Sequence, residues 1–235
     1  MKKNYLYLAM FALVALFATS CEKVTTEGLT RITYYPQLTL EGETTIILDK
    51  GGSYEEPGYS AVLNGEDVTD DVEVNSNVDI TKSGVYSITY TVVNEDGFAS
   101  SANRTIIVLD PNDPVEGFYY TDPTSYRIAA ATTEYGGEFE VLVIGNGDGT
   151  YNVDDMLAGW YAQRAGYGTD YAMQGLINVA TDGTISLLDN YVPGWGDAAD
   201  EMTDATFDAA TKTIKWNVLY AGMNFVVTMS KNNTL

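Results

Sequence analysis

The stretch GWYAQRAGYGTDYAMQG, Gly159–Gly175, sets Trp160, Tyr161, Tyr167 and Tyr171 among glycines, with Arg164 as its one cation. Tyr and Trp rings stack on the apolar C–H faces of sugars while amide and guanidinium groups bind the hydroxyls, so aromatic loops on a β-scaffold can make a glycan platform. Tyr167, between Gly166 and Gly168, and Trp195, in PGWGD, lie in turn-rich segments. With Arg164, and with Gln163 as a second polar partner, they are the candidate ligand-binding residues, and Trp160 joins them conditionally. The competing expectation is that these rings fold inward and plug the end of the domain, as large aromatics beside glycines often do.

Other chemistries are narrower. The chain has no histidine, which excludes Ser-His-Asp and Cys-His nucleophiles, imidazole zinc sites and histidine acid–base catalysis. A glycosidase needs only two carboxyl groups about 5 to 9 Å apart, and Asp154, Asp155, Asp197, Asp200 and Glu201 could be nominated. With 33 acidic residues, carboxylates fall near any feature, and nothing selects a pair. GNGDGT at Gly145–Thr150 and GEDVTDDVE at Gly65–Glu73 offer oxygen ligands of the kind Ca²⁺ prefers. The first lacks the distant Glu of an EF-hand and has the residues a hairpin turn demands; the second is taken as a solvated acidic loop. No catalytic residue, metal or cofactor is therefore expected.

The elements that must position these residues have period two. In GVYSITYTVVN, Tyr86, Ile88, Tyr90 and Val92 share one face and Ser87, Thr89 and Thr91 the other, the alternation of a half-buried strand. TTIILDKGG, GYSAVLNGEDV and NRTIIVLD are further short strands, and together they predict a β-sandwich of about seven strands over residues 34–110. DPNDPVEG, with two prolines, forms a stiff linker at 111–117. Residues 118–235 show successive hairpins, in FEVLVIGNGDGTYNV, INVATDGTISLL, ATFDAATKTIKWNV and WNVLYAGMNFVVTM. About eight strands in a meander predict a small barrel or curled sandwich, so the fold class is all-β throughout. Strand parity places Tyr171 with Met173, Ile177 and Val179 in the core, and Trp216 with Ile214, Val218 and Tyr220. The same parity, applied to a strand end at 160–161, points Trp160 and Tyr161 to opposite faces.

LTLEGETTIILDKGGSYEEPGYSA and VEVNSNVDITKSGVYSITYTVVNEDGFASSANRTIIVLD resemble the Ig-like repeat of bacterial surface proteins, with its Gly-aromatic-acidic-Pro-Gly motif and Gly-x-Tyr-x-x-x-Tyr strand. That family commonly continues the tyrosine strand with Asp and a Gly-Asn turn, where this chain has Asn94 and DGFA. The resemblance implies a spacer or interaction module. GYG-x-x-YAM-x-G at Gly166–Gly175, GWGD at Gly194–Asp197 and YAGM-x-F at Tyr220–Phe225 resemble a domain that closes Bacteroidota lipoproteins behind an Ig-like domain. That likeness implies architecture and location.

Residues 1–20 have the pattern of an export signal: Lys2 and Lys3, an apolar run from Tyr5 to Phe17, and ATSC at Ala18–Cys21. Small residues before the chain's single cysteine resemble a lipobox, which implies lipidation at Cys21; an ordinary secretory signal with a leftover thiol is the alternative. Acyl chains would anchor the mature protein to a membrane, with 21–33 as tether. Cleavage leaves 10 basic and 33 acidic residues, a net charge of −23 that repels phosphate backbones and excludes nucleic acid as a partner. The expected protein is a non-catalytic, lipid-anchored envelope protein, at the outer membrane, whose C-terminal module binds a glycan. A structural or protein-interaction lipoprotein is the alternative, followed by a carboxylate-dependent glycoside hydrolase.

Overall fold

The computed structural model describes residues 32–231. The signal sequence, Cys21 and most of the expected tether lie outside the described residues. Seven strands form two facing sheets: β1 (Gln37–Leu40), β3 (Tyr59–Leu63) and β4 (Glu66–Asp67) in one; β2 (Thr45–Asp49), β5 (Glu73–Ser76), β6 (Gly84–Val93) and β7 (Ala99–Leu109) in the other, in the order β2-β7-β6-β5. The alternation in β6 does what its period demands: Ile88, Tyr90 and Val92 are buried, and Ile106 and Val108 of β7 form a core cluster with Ile88 and Tyr90. The β2–β7 pair is parallel; the other pairs are antiparallel.

The motif residues of this sandwich converge on one buried cation. Arg104 is fully buried and pairs with Glu56 at 3.1 Å, while also donating to the carbonyls of Glu41, Glu43 and Gly58. Glu56 accepts in addition from the hydroxyls of Tyr54 and Tyr90. The acidic residue of the Pro-Gly motif and the second tyrosine of the strand motif thus serve to satisfy a guanidinium that would otherwise be buried without partners. Asn94 ties off the corner: its amide donates to the Tyr34 carbonyl at 2.7 Å, and its oxygen accepts from the Asp96 and Phe98 amides.

The linker is folded onto both modules. Asp110 pairs with Lys50 at 3.1 Å, and Asp113 caps the amides of Val115 and Glu116. Ile107, at the end of β7, packs against Leu142 and Ile144 of the second module, with Leu109 and Phe118 beside them.

The second module is one antiparallel sheet curled on itself. Its strands are β8 (Gly117–Thr121), β9 (Tyr126–Ile128), β10 (Thr132–Glu134), β11 (Glu140–Gly145), β12 (Thr150–Val153), β13 (Gln174–Val179), β14 (Ile185–Tyr191), β15 (Glu201–Asp208), β16 (Thr213–Tyr220) and β17 (Met223–Lys231). The ladder runs β8-β11-β12-β13-β14 on one side of β8 and β17-β16-β15 on the other. A single bridge, Thr184 to Thr206, joins the two ends and completes a ring of eight strands. At that seam Gly183 has φ +84° and its Cα faces the Phe207 carbonyl so closely that a side chain would collide with backbone. The β9–β10 hairpin branches off, because β17 pairs first with β9 and then with β8. All four hairpins expected from the turn residues are present.

The ring is filled by Ile214, Trp216, Val218, Phe225, Val227 and Met229. One end is plugged by the β12–β13 connection, where Met156, Leu157 and Ala158 are fully buried and the Met156 carbonyl accepts the Trp216 indole N–H at 2.9 Å. The linker enters at the opposite end, with the β11–β12, β13–β14 and β15–β16 turns.

Candidate ligand-binding site

The plug is organised by Asp155. Its carboxylate accepts the backbone N–H groups of Leu157 (2.9 Å), Gly159 (3.0 Å) and Met173 (3.2 Å), gathering both ends of the connection onto one buried side chain. Burial raises its pKa to about 7, against the opposing pull of those three amides.

The chain then makes a wide helical turn at Trp160–Arg164, with Arg164 N–H bonded to Gly159 O at 2.8 Å and Ala165 N–H to Trp160 O at 3.1 Å. This five-residue spacing is that of a π-turn, a geometry that recurs at functional sites. It corrects the expected strand end: Trp160 and Tyr161 project from a turn and both reach Phe225, at 5.8 and 6.0 Å between ring centroids. Trp160 is only 3% exposed and lies beneath the surface. The guanidinium carbons of Arg164 and Arg127 stand 4.3 and 4.6 Å from its ring centroid, a cation–π arrangement. Arg164 also donates to the Tyr135 carbonyl at 2.9 Å. Gln163 binds both the N–H and the carbonyl of Glu140, pinning the turn to β11. The polar residues expected to contact a ligand therefore also hold the loop.

Tyr167 and Trp195 are brought together. Tyr167 is 56% exposed and Trp195 41%, and their rings lie 6.3 Å apart at 84°. Between them stand Tyr161, stacked with Tyr167 at 6.1 Å and edge-on to Trp195 at 4.8 Å, and Tyr171, edge-on to Trp195 at 4.9 Å. Tyr220, buried at the end of β16, lies below Trp195 at 6.1 Å and only 30° from parallel, and its hydroxyl donates to Asp197. One face of the indole rests on this base, three tyrosines surround it, and the remainder meets solvent.

Tyr171 corrects a second expectation. It sits in a 3-10 turn, Thr169–Tyr171, before β13 begins, so strand parity does not reach it; Met173 and Ile177 are fully buried as parity requires. The loop carrying Trp195 is fastened to this turn by Gly194 N–H to the Asp170 carbonyl at 2.6 Å. A Cβ on Gly194 would stand 2.7 Å from the Tyr171 ring, so the close approach of the two loops requires glycine.

Three of the five nominated carboxylates have other partners. Asp154 accepts from the Leu142 amide, Asp155 from its three amides, and Asp197 from Tyr220. In the GNGDGT turn, Asp148 binds the amide and hydroxyl of Thr150; in the acidic loop, Asp67 binds the Thr69 amide.

Comparison with known proteins follows the same division of the chain. The family model of the bacterial surface protein Ig-like domain matches residues 38–108, and that of a C-terminal domain matches 108–231. The crystal structure of the lipoprotein BT2262 from Bacteroides thetaiotaomicron is 41% identical over 84% of this chain and 100% of its own, with a TM-score of 0.70. The chain belongs to the BT2262 family. Neither family model describes a catalyst. Two structures of Clostridium perfringens ZmpB, one with its catalytic and CBM51 domains and one of a CBM51 domain in complex with GlcNAc, are 15% and 14% identical. They cover 84% and 85% of this chain and 21% and 44% of their own, with TM-scores of 0.29 and 0.27. No curated protein matches. In this chain the aromatic cluster lies within the region matched by the C-terminal domain model, on the two longest loops at the plugged end of the ring.

Proposed function

We propose that this member of the BT2262 family is a non-catalytic, lipid-anchored protein of the cell envelope, held at the outer membrane through Cys21, and that its barrel presents a glycan-binding platform. The observation that carries the reading is the cluster at Trp195: exposed rings seated on a buried aromatic base, their loops fixed to each other by backbone bonds. Because the rings are already held, little side-chain entropy is lost when a sugar stacks on them. Arg164, three residues before Tyr167 on the same loop, is exposed, with its guanidinium stacked on Trp160 and its Nε–H donating to the Tyr135 carbonyl.

The placement supports the same reading. β7 runs from the corner at Asn94, where Tyr34 is held, to the junction with the barrel. The aromatic loops then lie at the far end of the ring from the linker. A chain anchored just ahead of residue 32 would therefore carry its platform at the end away from the membrane.

Isothermal titration of the soluble fragment Leu29–Leu235 against neutral oligosaccharides identified on a glycan array tests this. Trp195→Ala and Tyr167→Ala are each expected to cost about 1–2 kcal/mol, roughly a 5- to 30-fold rise in Kd, with the fold retained by far-ultraviolet circular dichroism. Absence of carbohydrate binding, or binding indifferent to both substitutions, overturns the proposal. The same exposed rings would suit a protein partner; cross-linking on intact envelopes, with a partner that co-purifies without sugar, would favour that reading instead.

A further inference from the structure

We propose that the platform is one end of a longer track, continuing from Trp195 over the barrel wall to a second sugar subsite on β13 and β14. The inference rests on the glycan reading above and extends it to a ligand of at least two linked, neutral sugar units.

Tyr191, the last residue of β14, is 48% exposed and immediately precedes the loop that carries Trp195. Its hydroxyl comes within 3.7 Å of the point where a Cβ on Gly196 would stand, so this ring abuts the residue next to Trp195. Across the ladder Tyr191 is paired with Gln174, and two rows further, on the same face, Asn152, Leu176 and Asp189 lie abreast on β12, β13 and β14. Gln174, Asn152 and Asp189 are exposed, and with Tyr191 they border a shallow depression of about 180 Å³. Gly175, paired with Val153 and Asn190, contributes backbone to its floor; a Cβ at Gly175 would point inward and stand 2.1 Å from the Met156 sulfur in the core.

This composition has a chemical meaning. A carboxamide and a carboxylate offer donors and acceptors for vicinal hydroxyls, and a neighbouring tyrosine offers a face for the ring. It matches the platform in kind, being aromatic and polar, and differs from it in having more hydrogen-bonding groups. The only charge on its rim is negative, Asp189, so acidic sugars are disfavoured there. The bulge in the β13–β14 pairing between Leu176 and Ile177 lies beside the depression, a device that re-aims side chains in other sheets.

Two subsites in series make affinity depend on ligand length. The test is titration of the soluble fragment with cello-, malto-, manno- and chito-oligosaccharide ladders of one to six units, for the native chain and for Trp195→Ala, Tyr191→Ala and Gln174→Ala. Affinity is expected to rise at least tenfold between one and three units in the ladder that binds. Tyr191→Ala and Gln174→Ala should each remove most of that rise while leaving the single-unit Kd within twofold, whereas Trp195→Ala weakens every length. A length dependence untouched by Tyr191→Ala and Gln174→Ala overturns the track and leaves the platform standing. A native chain that binds none of the ladders overturns the platform itself and the track with it. Equal binding of a uronate-containing trimer overturns the assignment to neutral sugars.

Discussion

Asp155 shows how a single residue can set the local chemistry without touching a ligand. Its pKa of about 7 lies above that of an unfolded aspartate, so between about pH 4 and pH 7 the folded chain binds more protons than the unfolded one. Stability should therefore fall as pH rises through that window, by up to about 1.4 kcal/mol per pH unit where the difference is one full proton. Chemical denaturation from pH 4 to 8 measures this slope, and Asp155→Ala should make it shallower, the remainder coming from Asp154, which burial raises to about 6. That variant should also lose about 1–3 kcal/mol because three buried amides lose their acceptor. Legibility at this scale was uneven. Trp195 and Tyr167 could be picked out because glycines flank them and turns expose their residues. Arg104 could not, since nothing local marks a cation in a strand whose partners, Glu56 and the carbonyls of Glu41 and Gly58, lie more than 40 residues away in the chain.

At the scale of elements, the hairpins were legible because their turn residues are local and their strands alternate. The long connections were not, since a π-turn and a 3-10 turn leave no period to count; extending strand parity to Tyr171 and Trp160 failed for that reason. Ring closure was equally hidden, because it depends on one bridge between residues 22 apart that the hairpin pattern leaves unpaired. The seam has a measurable signature. A strand pair joined by one bridge lacks the cooperative ladder that protects its neighbours, so opening there costs less than global unfolding. Amide hydrogen exchange should be faster along the facing edges of β14 and β15 than in β16 and β17, which are paired over eight residues. Equal protection of both pairs would count against a seam. The loop bearing Trp195 joins these two strands, so a bound sugar bridging it to Tyr167 should slow that exchange.

For the whole molecule, the question is whether two modules behave as one body. Ile107 is buried against Leu142 and Ile144, Lys50 is paired with Asp110, and the prolines of the linker restrict it further. Ile107→Lys should uncouple the modules, seen as a larger radius of gyration and maximum dimension by small-angle X-ray scattering, while each module keeps its own near-ultraviolet circular dichroism. An unchanged scattering profile would show that the linker alone fixes the angle.

The parallel pairing of β2 with β7 has a consequence in mechanics. A protein tethered at one pole and gripping a fixed polymer at the other is under tension along its length. Load would enter the sandwich near β1 and β2 and leave through β7. Because β2 and β7 run the same way, with five residues of each in register from Thr45 to Asp49 and Thr105 to Leu109, pulling them apart end to end shears all their hydrogen bonds at once instead of peeling them in sequence. If the proposed anchor and ligand are both engaged, the β2–β7 pair is the one through which the Ig-like module would resist that tension.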